Sequence, residues 1–435
     1  MGHLGRLKEQ YRELAGRLQA GPVALAEPAD GPAWEGWREI LEILYTPEEA
    51  ALAARMPVRP ISLERLAART GEPAESLRPR LEAMADKGLV MDLVHPGTGA
   101  TKWFLSPPVV GFFEFSLMRA RDSIPKKRMA EALHAYTHGD EAFAREVFGG
   151  DTVIGRALVH EPSLAEDPLP EVLDWQRASE VVASAGSWAV SLCYCRHKAE
   201  HLGAACSAPM DNCLSINGGA DFIVRRGFGR AVERTEALEI LARSREQGLV
   251  QIADNVQDRP AFVCNCCGCC CEQLQGANRW GLAAVNPSGF VPRRDAASCS
   301  GCSRCARACP VAAIEMVPER HAARQKNGLA PSIDGGRCIG CGVCATACHK
   351  GSLRMAPGGS PRPVPEDAVE RVVRMAMERG RLADLLFDEG GGPGSRFLHR
   401  AVKALTSLPP AARLVASEQV KSRFVRALLS PARGG

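Results

Sequence analysis

CSGCSRCARACP, residues 299–310, and CIGCGVCATACH, residues 338–349, place their cysteines at identical intervals. Cys299, Cys302, Cys305 and Cys309 form the first run, and Cys338, Cys341, Cys344 and Cys348 repeat it. The interval C-x2-C-x2-C-x3-C lets a short loop and the first turn of a helix wrap a [4Fe–4S] cube. Three thiolates serve one cube and the fourth crosses to the cube of the other run. One run alone also suits zinc, whereas two in tandem point to iron–sulfur chemistry and to an electron carrier.

The other ten cysteines sharpen that reading. All eighteen lie between Cys193 and Cys348 in a chain of 435 residues, so the two ends have none. A disulfide-stapled secreted protein would spread them; metal-ligating thiolates in a reducing cytoplasm fit better. Near-balanced acids and bases, net +4, give no global field for nucleic acid. The first twenty residues lack the apolar core of a signal peptide, and no apolar run reaches the length of a membrane span. A cytoplasmic protein is expected.

The expected fold class is multidomain α+β. Residues 1–34 read as a helix and a Pro/Gly-containing linker, and 35–106 as a winged-helix-like module. There, ISLERLAARTGEP and LRPRLEAMADKG supply two helices, while LVMDLV and KWFLS supply the strands of the wing. Ser76 as N-cap would put Pro79 in the first helical turn, where its missing N–H costs nothing. Residues 107–170 read as a helical bridge, with His134 and His138 as a surface pair. Residues 171–292 alternate helical and strand-like signals, an α/β cysteine-rich domain. Residues 293–357 hold the repeat, and 358–435 form a helical tail. Its basic amphipathic segments around Pro409–Pro410 suit packing on the chain itself, a partner complex or an anionic membrane surface.

Two constellations lie upstream of the repeat. Cys193 and Cys195, on a strand-like run, would point to one face, and Cys206 and Cys213 return toward them through a loop. Four thiols suit iron–sulfur or zinc; iron–sulfur is preferred because the neighbours are clusters. Arg196 would offset the charge. His197 and His201 are either ligands or proton donors, or a solvated helix face. Cys264, Cys266, Cys267, Cys269, Cys270 and Cys271 put six thiols in eight residues, too many for one cube. Some would complete a neighbouring cluster, or the segment would hold an unusual cluster with an open iron. RGFGR, with Gly227 and Gly229, lacks the full nucleotide fingerprint.

The repeat resembles the two-cluster bacterial ferredoxin family over 293–357. That resemblance implies one cluster on Cys299, Cys302, Cys305 and Cys348, and another on Cys338, Cys341, Cys344 and Cys309. It also implies short strands at AAIEM and SLRM. His349, where the family has proline, and a longer spacer near PERHAARQKNG depart from its pattern. RGFGRAVERTEALEIL, GLVQIADN and FVCNCCGCCC resemble a group of 4Fe–4S-binding proteins of anaerobic prokaryotes, in which a C-x-C-R…C-x2-P-x3-C-L module precedes a ferredoxin domain. The function expected is electron relay between redox protein partners. One alternative is a reductase with its catalytic site at Cys264–Cys271. Another is a redox-sensing DNA-binding regulator, disfavoured by the mixed charges on the second helix of the winged-helix-like module.

Overall fold

The computed structural model describes residues 8–95, 97–120, 122–164, 174–319, 328–387 and 399–400. The chain divides into two compact units, one of residues 1–117, 121–152 and 368–435, the other of 118–120 and 153–367. Among the described residues, no helix is long and apolar enough to cross a membrane.

The first unit is mainly helical. Helices Gly31–Leu44 and Lys126–Gly139 lie against each other because Gly36 has no side chain, and a Cβ there would meet the Ala132 carbonyl. Thr46 and Glu49 form a reciprocal cap that starts helix Pro47–Arg55. Ser62 caps Leu63–Thr70, which ends at Gly71 with φ of 71°. Helix Ala74–Asp86 follows, and strands Ile61–Ser62, Thr101–Leu105 and Val90–Val94 form an antiparallel sheet in that order. The His134 and His138 rings lie side by side, tilted, with centroids 4.5 Å apart.

The expected cap at Ser76 is corrected here. The helix begins at Ala74 behind Pro73, and the Ser76 hydroxyl donates to the Pro73 carbonyl at 2.8 Å. Pro79 therefore sits inside the helix, where it cannot donate to the Glu75 carbonyl. It is exposed, so its ring buries little. Pro79→Ala is expected to stabilise this unit by roughly 1–3 kcal/mol, read as a higher denaturant midpoint. A lower midpoint would show that the ring has a packing role.

Part of the tail returns to this unit. Helices Ala368–Glu378 and Leu382–Leu386 bury Val373, Ala376, Leu382 and Leu385, with Val58 packed against them. Glu146 accepts from Arg381 and lies 3.6 Å from Arg379. The basic segments around Pro409–Pro410 lie outside the described residues, as does most of the spacer loop after Glu319.

The second unit is built on a seven-stranded sheet. Its order is Val285–Asn286, Gly155–Leu158, Val250–Asp254, Phe262–Cys266, Cys213–Ile216, Trp188–Ser191 and Arg230–Ala231. The first pair is parallel and the rest are antiparallel. Strand Gly155–Leu158 interrupts the region 107–170 read as a helical bridge: the segment GRAL is fully buried and pairs with Val250–Asp254.

Alternation along the strands sorts side chains between two cores. Leu158, Ala253 and Val263 face one core, with helices Ala178–Ala183 and Arg234–Glu246. Ala157, Ile252 and Cys264 face the other, with Leu274 of helix Glu272–Trp280 and with Val311, Ile339 and Val343 of the cysteine repeat. The repeat forms two antiparallel pairs, Phe290–Arg294 with Leu353–Pro357 and Ile314–Pro318 with Leu329–Ile333. The strands after each run thus fall at Ile314 and Leu353.

Candidate metal centres

Each cysteine run turns through residues with positive φ: Gly301 at 66° and Ser303 at 63° in the first, Gly340 at 69° and Gly342 at 83° in the second. These left-handed positions aim backbone N–H groups at sulfur. The Arg304, Gly340 and Val343 amides bond Cys302, Cys338 and Cys341, and Ala313 N–H donates to Cys309 Sγ at 3.2 Å. One cavity is lined by Cys299, Cys302, Cys305 and Cys348, a second by Cys309, Cys338, Cys341 and Cys344. The fourth cysteine of each run thus faces the cavity begun by the other.

Burial pushes the Cys341 thiol up to about 12 and raises Cys305, Cys338 and Cys344 as well. Bare thiolates are costly in such a place, whereas a bound cation takes up their charge. Apolar walls, inward amides and four thiols per cavity fit a [4Fe–4S] cube.

Upstream, the strand expected through Cys195 ends at Ser191. Cys193 is the N-cap of helix Tyr194–His201, and Cys195 lies in its first turn. The chain turns because Cys193 N–H bonds the Met210 carbonyl at 2.7 Å and its own carbonyl accepts from His197 at 2.9 Å. Cys271 caps helix Glu272–Trp280 in the same way, and Glu272 N–H donates to Cys195 Sγ at 3.5 Å. Two positive helix ends therefore meet at the thiols. Cys264 and Cys266 reach them from strand Phe262–Cys266, and Cys213 opens the neighbouring strand.

These six sulfurs form one group. Cys195 hydrogen-bonds with Cys193 and Cys271, Cys266 with Cys264 and Cys271, and Cys264 with Cys213. A bond from Cys195 holds Cys271 down at about 5, bonding with Cys195 lowers Cys193, and bonding with Cys213 lowers Cys264. Cys195 and Cys266 are pushed up by bonding with Cys193 and Cys264.

The remaining four, Cys206, Cys267, Cys269 and Cys270, converge separately, with all sulfurs within 4.8 Å of one another. Hydrogen bonding from Cys270 brings Cys267 down to about 4, and burial raises Cys269 to about 11. The set expected from sequence, Cys193, Cys195, Cys206 and Cys213, is thus divided, and so is the run Cys264–Cys271. After strand Phe262–Cys266 the chain turns and carries Cys267, Cys269 and Cys270 toward Cys206, and Cys271 returns to the group of Cys264 and Cys266.

Arg196 lies between the two groups and is fully buried. Its Nη2 donates to Cys267 Sγ at 3.5 Å and its Nη1 to Asn212 Oδ1 at 3.1 Å and to the Pro209 carbonyl. Nε has no hydrogen-bond partner among the described residues, a buried donor suited to a sulfur anion. A buried ion pair between Lys198 and Glu272 ties the two helices together. Sequence reasoning missed it, and it missed Asn265, whose Nδ2 donates to the Asn212 carbonyl at 2.8 Å. The alternation of strand Phe262–Cys266 does turn Asn265 away from its cysteine neighbours. The solvated reading of His197 is corrected: it is buried, with Nε2 3.1 Å from that of His201. RGFGR is a packing turn, in which Phe228 is buried beside Phe222 and Gly229 abuts Val190 and Ser191.

The upstream thiols adjoin the repeat. Cys264, Cys266 and Cys271 share an apolar core with Cys309, Cys338 and Cys341, and Cys309 also belongs to the core of Cys305, Cys344 and Cys348. Gly268 lies flat on the Pro310 carbonyl, which accepts from Asn278 Nδ2 at 2.9 Å.

Residues 298–362 match the family described as 4Fe-4S dicluster domain, so this segment is a ferredoxin-type iron–sulfur domain. Neither a curated protein nor a solved structure matches the chain.

Proposed function

We propose that this protein relays low-potential electrons between redox protein partners through two [4Fe–4S] clusters and a further iron–sulfur centre upstream. The two clusters are assigned to Cys299, Cys302, Cys305 and Cys348 and to Cys309, Cys338, Cys341 and Cys344. The further centre is assigned to Cys193, Cys195, Cys213, Cys264, Cys266 and Cys271. The observation that carries the reading is Cys309: its side chain is common to the core of the first cavity and to the core of the upstream thiols. A bound all-thiolate [4Fe–4S] cluster supplies one-electron exchange in the lower part of the iron–sulfur range. The chain holds the thiolates, donates backbone N–H groups to them and excludes water with Val311, Ile339 and Val343.

The reading requires a reducing compartment, since free thiols this dense oxidise readily. It treats 35–106 as a winged-helix-like docking module rather than a DNA reader. Arg80 and Lys87 of that region are engaged by Glu72 and Glu49, which takes two cations out of any basic stripe.

Anaerobic purification with iron and sulfide counts tests the relay, followed by reduction under an electron paramagnetic resonance readout. At least about twelve irons per chain and reducible upstream signals are expected. A count of about eight would confine the clusters to the ferredoxin-type segment and remove the upstream centre.

A further inference from the structure

We propose that Cys206, Cys267, Cys269 and Cys270 bind a single thiophilic metal ion, zinc or iron, at a site separate from every iron–sulfur cluster. The relay described above does not depend on it. Four sulfurs on one tetrahedral ion, with bonds of about 2.3 Å, stand about 3.8 Å apart. The tetrad has that size: Cys206 Sγ lies 3.5 Å from Cys267 Sγ, Cys269 Sγ lies 3.6 Å from Cys270 Sγ, and all four fall within 4.8 Å of one another. A cube spreads its thiolates over four irons and holds them farther apart. Among the described residues, the eight cysteines of the ferredoxin-type segment form no group this tight.

The local chain geometry agrees. Cys267 and Cys270 stand in the C-x2-C spacing of tetrathiolate sites, and the Cys270 amide bonds back to Cys267 Sγ. The Cys206 amide bonds Cys270 Sγ in turn, which ties the two segments together at the sulfurs. Four thiolates on a divalent ion carry a charge of −2. The buried Arg196 guanidinium, 3.5 Å from Cys267 Sγ, is the counter-charge such a centre needs. The ion would clamp the Cys206 loop, 61 residues away in sequence, onto the turn that follows strand Phe262–Cys266. All-sulfur tetrahedral coordination selects zinc or iron over harder cations.

The test compares metals per chain in anaerobically purified wild-type protein, Cys206→Ser and Cys269→Ser. One zinc lost with the iron count unchanged supports the site. So does one iron lost together with a high-spin ferric signal in the oxidised protein. Loss of about four irons and four sulfides would overturn it in favour of a cube, and an unchanged metal content would overturn it outright. Should both variants fail to fold, X-ray absorption on the wild type decides. Where zinc is present, its edge is expected to show four sulfurs at about 2.3 Å and no iron neighbour. Where it is absent, Mössbauer spectra are expected to show one tetrathiolate iron outside the clusters. Neither signature in the wild type would overturn the proposal.

Discussion

Arg196→Ala is expected to destabilise the second unit by about 3–5 kcal/mol, the cost of leaving buried charge without its partner. The guanidinium has no exposure and bonds Cys267, Asn212 and the Pro209 carbonyl at once. Alanine would strand a thiolate group and two polar acceptors together. Metal loss should be selective: the upstream cysteines empty first, while the segment 298–362 retains its iron. Arg196→Lys keeps the charge but loses the planar fork, so an intermediate loss is expected. Denaturant midpoints together with metal counts check this. An Arg196→Ala protein with wild-type stability and metal content would mean that the upstream thiols carry no net negative charge.

Gly340→Ala is the second large effect, expected at about 2–4 kcal/mol from two independent costs. Its φ of 69° lies in the left-handed region, which disfavours any Cβ by about 1–2 kcal/mol. The added methyl would also run into the Phe290 carbonyl and the Ser288 hydroxyl, and backbone must move to admit it. The damage should be confined to the cavity lined by Cys338 and Cys341, with about four irons lost per chain. Gly335→Ala is the matched control, since its Cβ would meet nothing within 4 Å. Equal iron in the two variants would show that the Cys338–Cys344 turn tolerates a side chain.

The repeated cysteine phrase was legible in sequence because its contacts are local: a loop, one turn of helix and a strand, twice over. The strands after each run and the pairing Val90–Val94 with Thr101–Leu105 follow from equally short-range patterns. The grouping of the upstream cysteines was not legible. It depends on a turn that takes Cys267, Cys269 and Cys270 out and brings Cys271 back, and on a contact between Cys206 and Cys267 that no periodicity encodes. Cys193 and Cys195 read as a strand because WAVSLC is apolar, but the Met210 carbonyl captures the Cys193 amide and a helix starts instead. Strand Gly155–Leu158 has four residues, too few to show a period, and only its neighbours in the sheet define it. Pro79 misled through its rule: a helix already held at Leu77, Leu81 and Met84 by burial tolerates a missing donor on its exposed side.

The exchange of fourth cysteines between the two cavities also sets an order of manufacture. Synthesis delivers Cys299, Cys302 and Cys305 first, yet the cavity they begin is closed by Cys348. The other cavity needs Cys309, Cys338, Cys341 and Cys344, and has all four while Cys348 is still to be added. The pocket begun first on the ribosome is thus finished last. A nascent chain halted between Cys344 and Cys348 would have one cavity with all of its thiols and one still lacking its last cysteine.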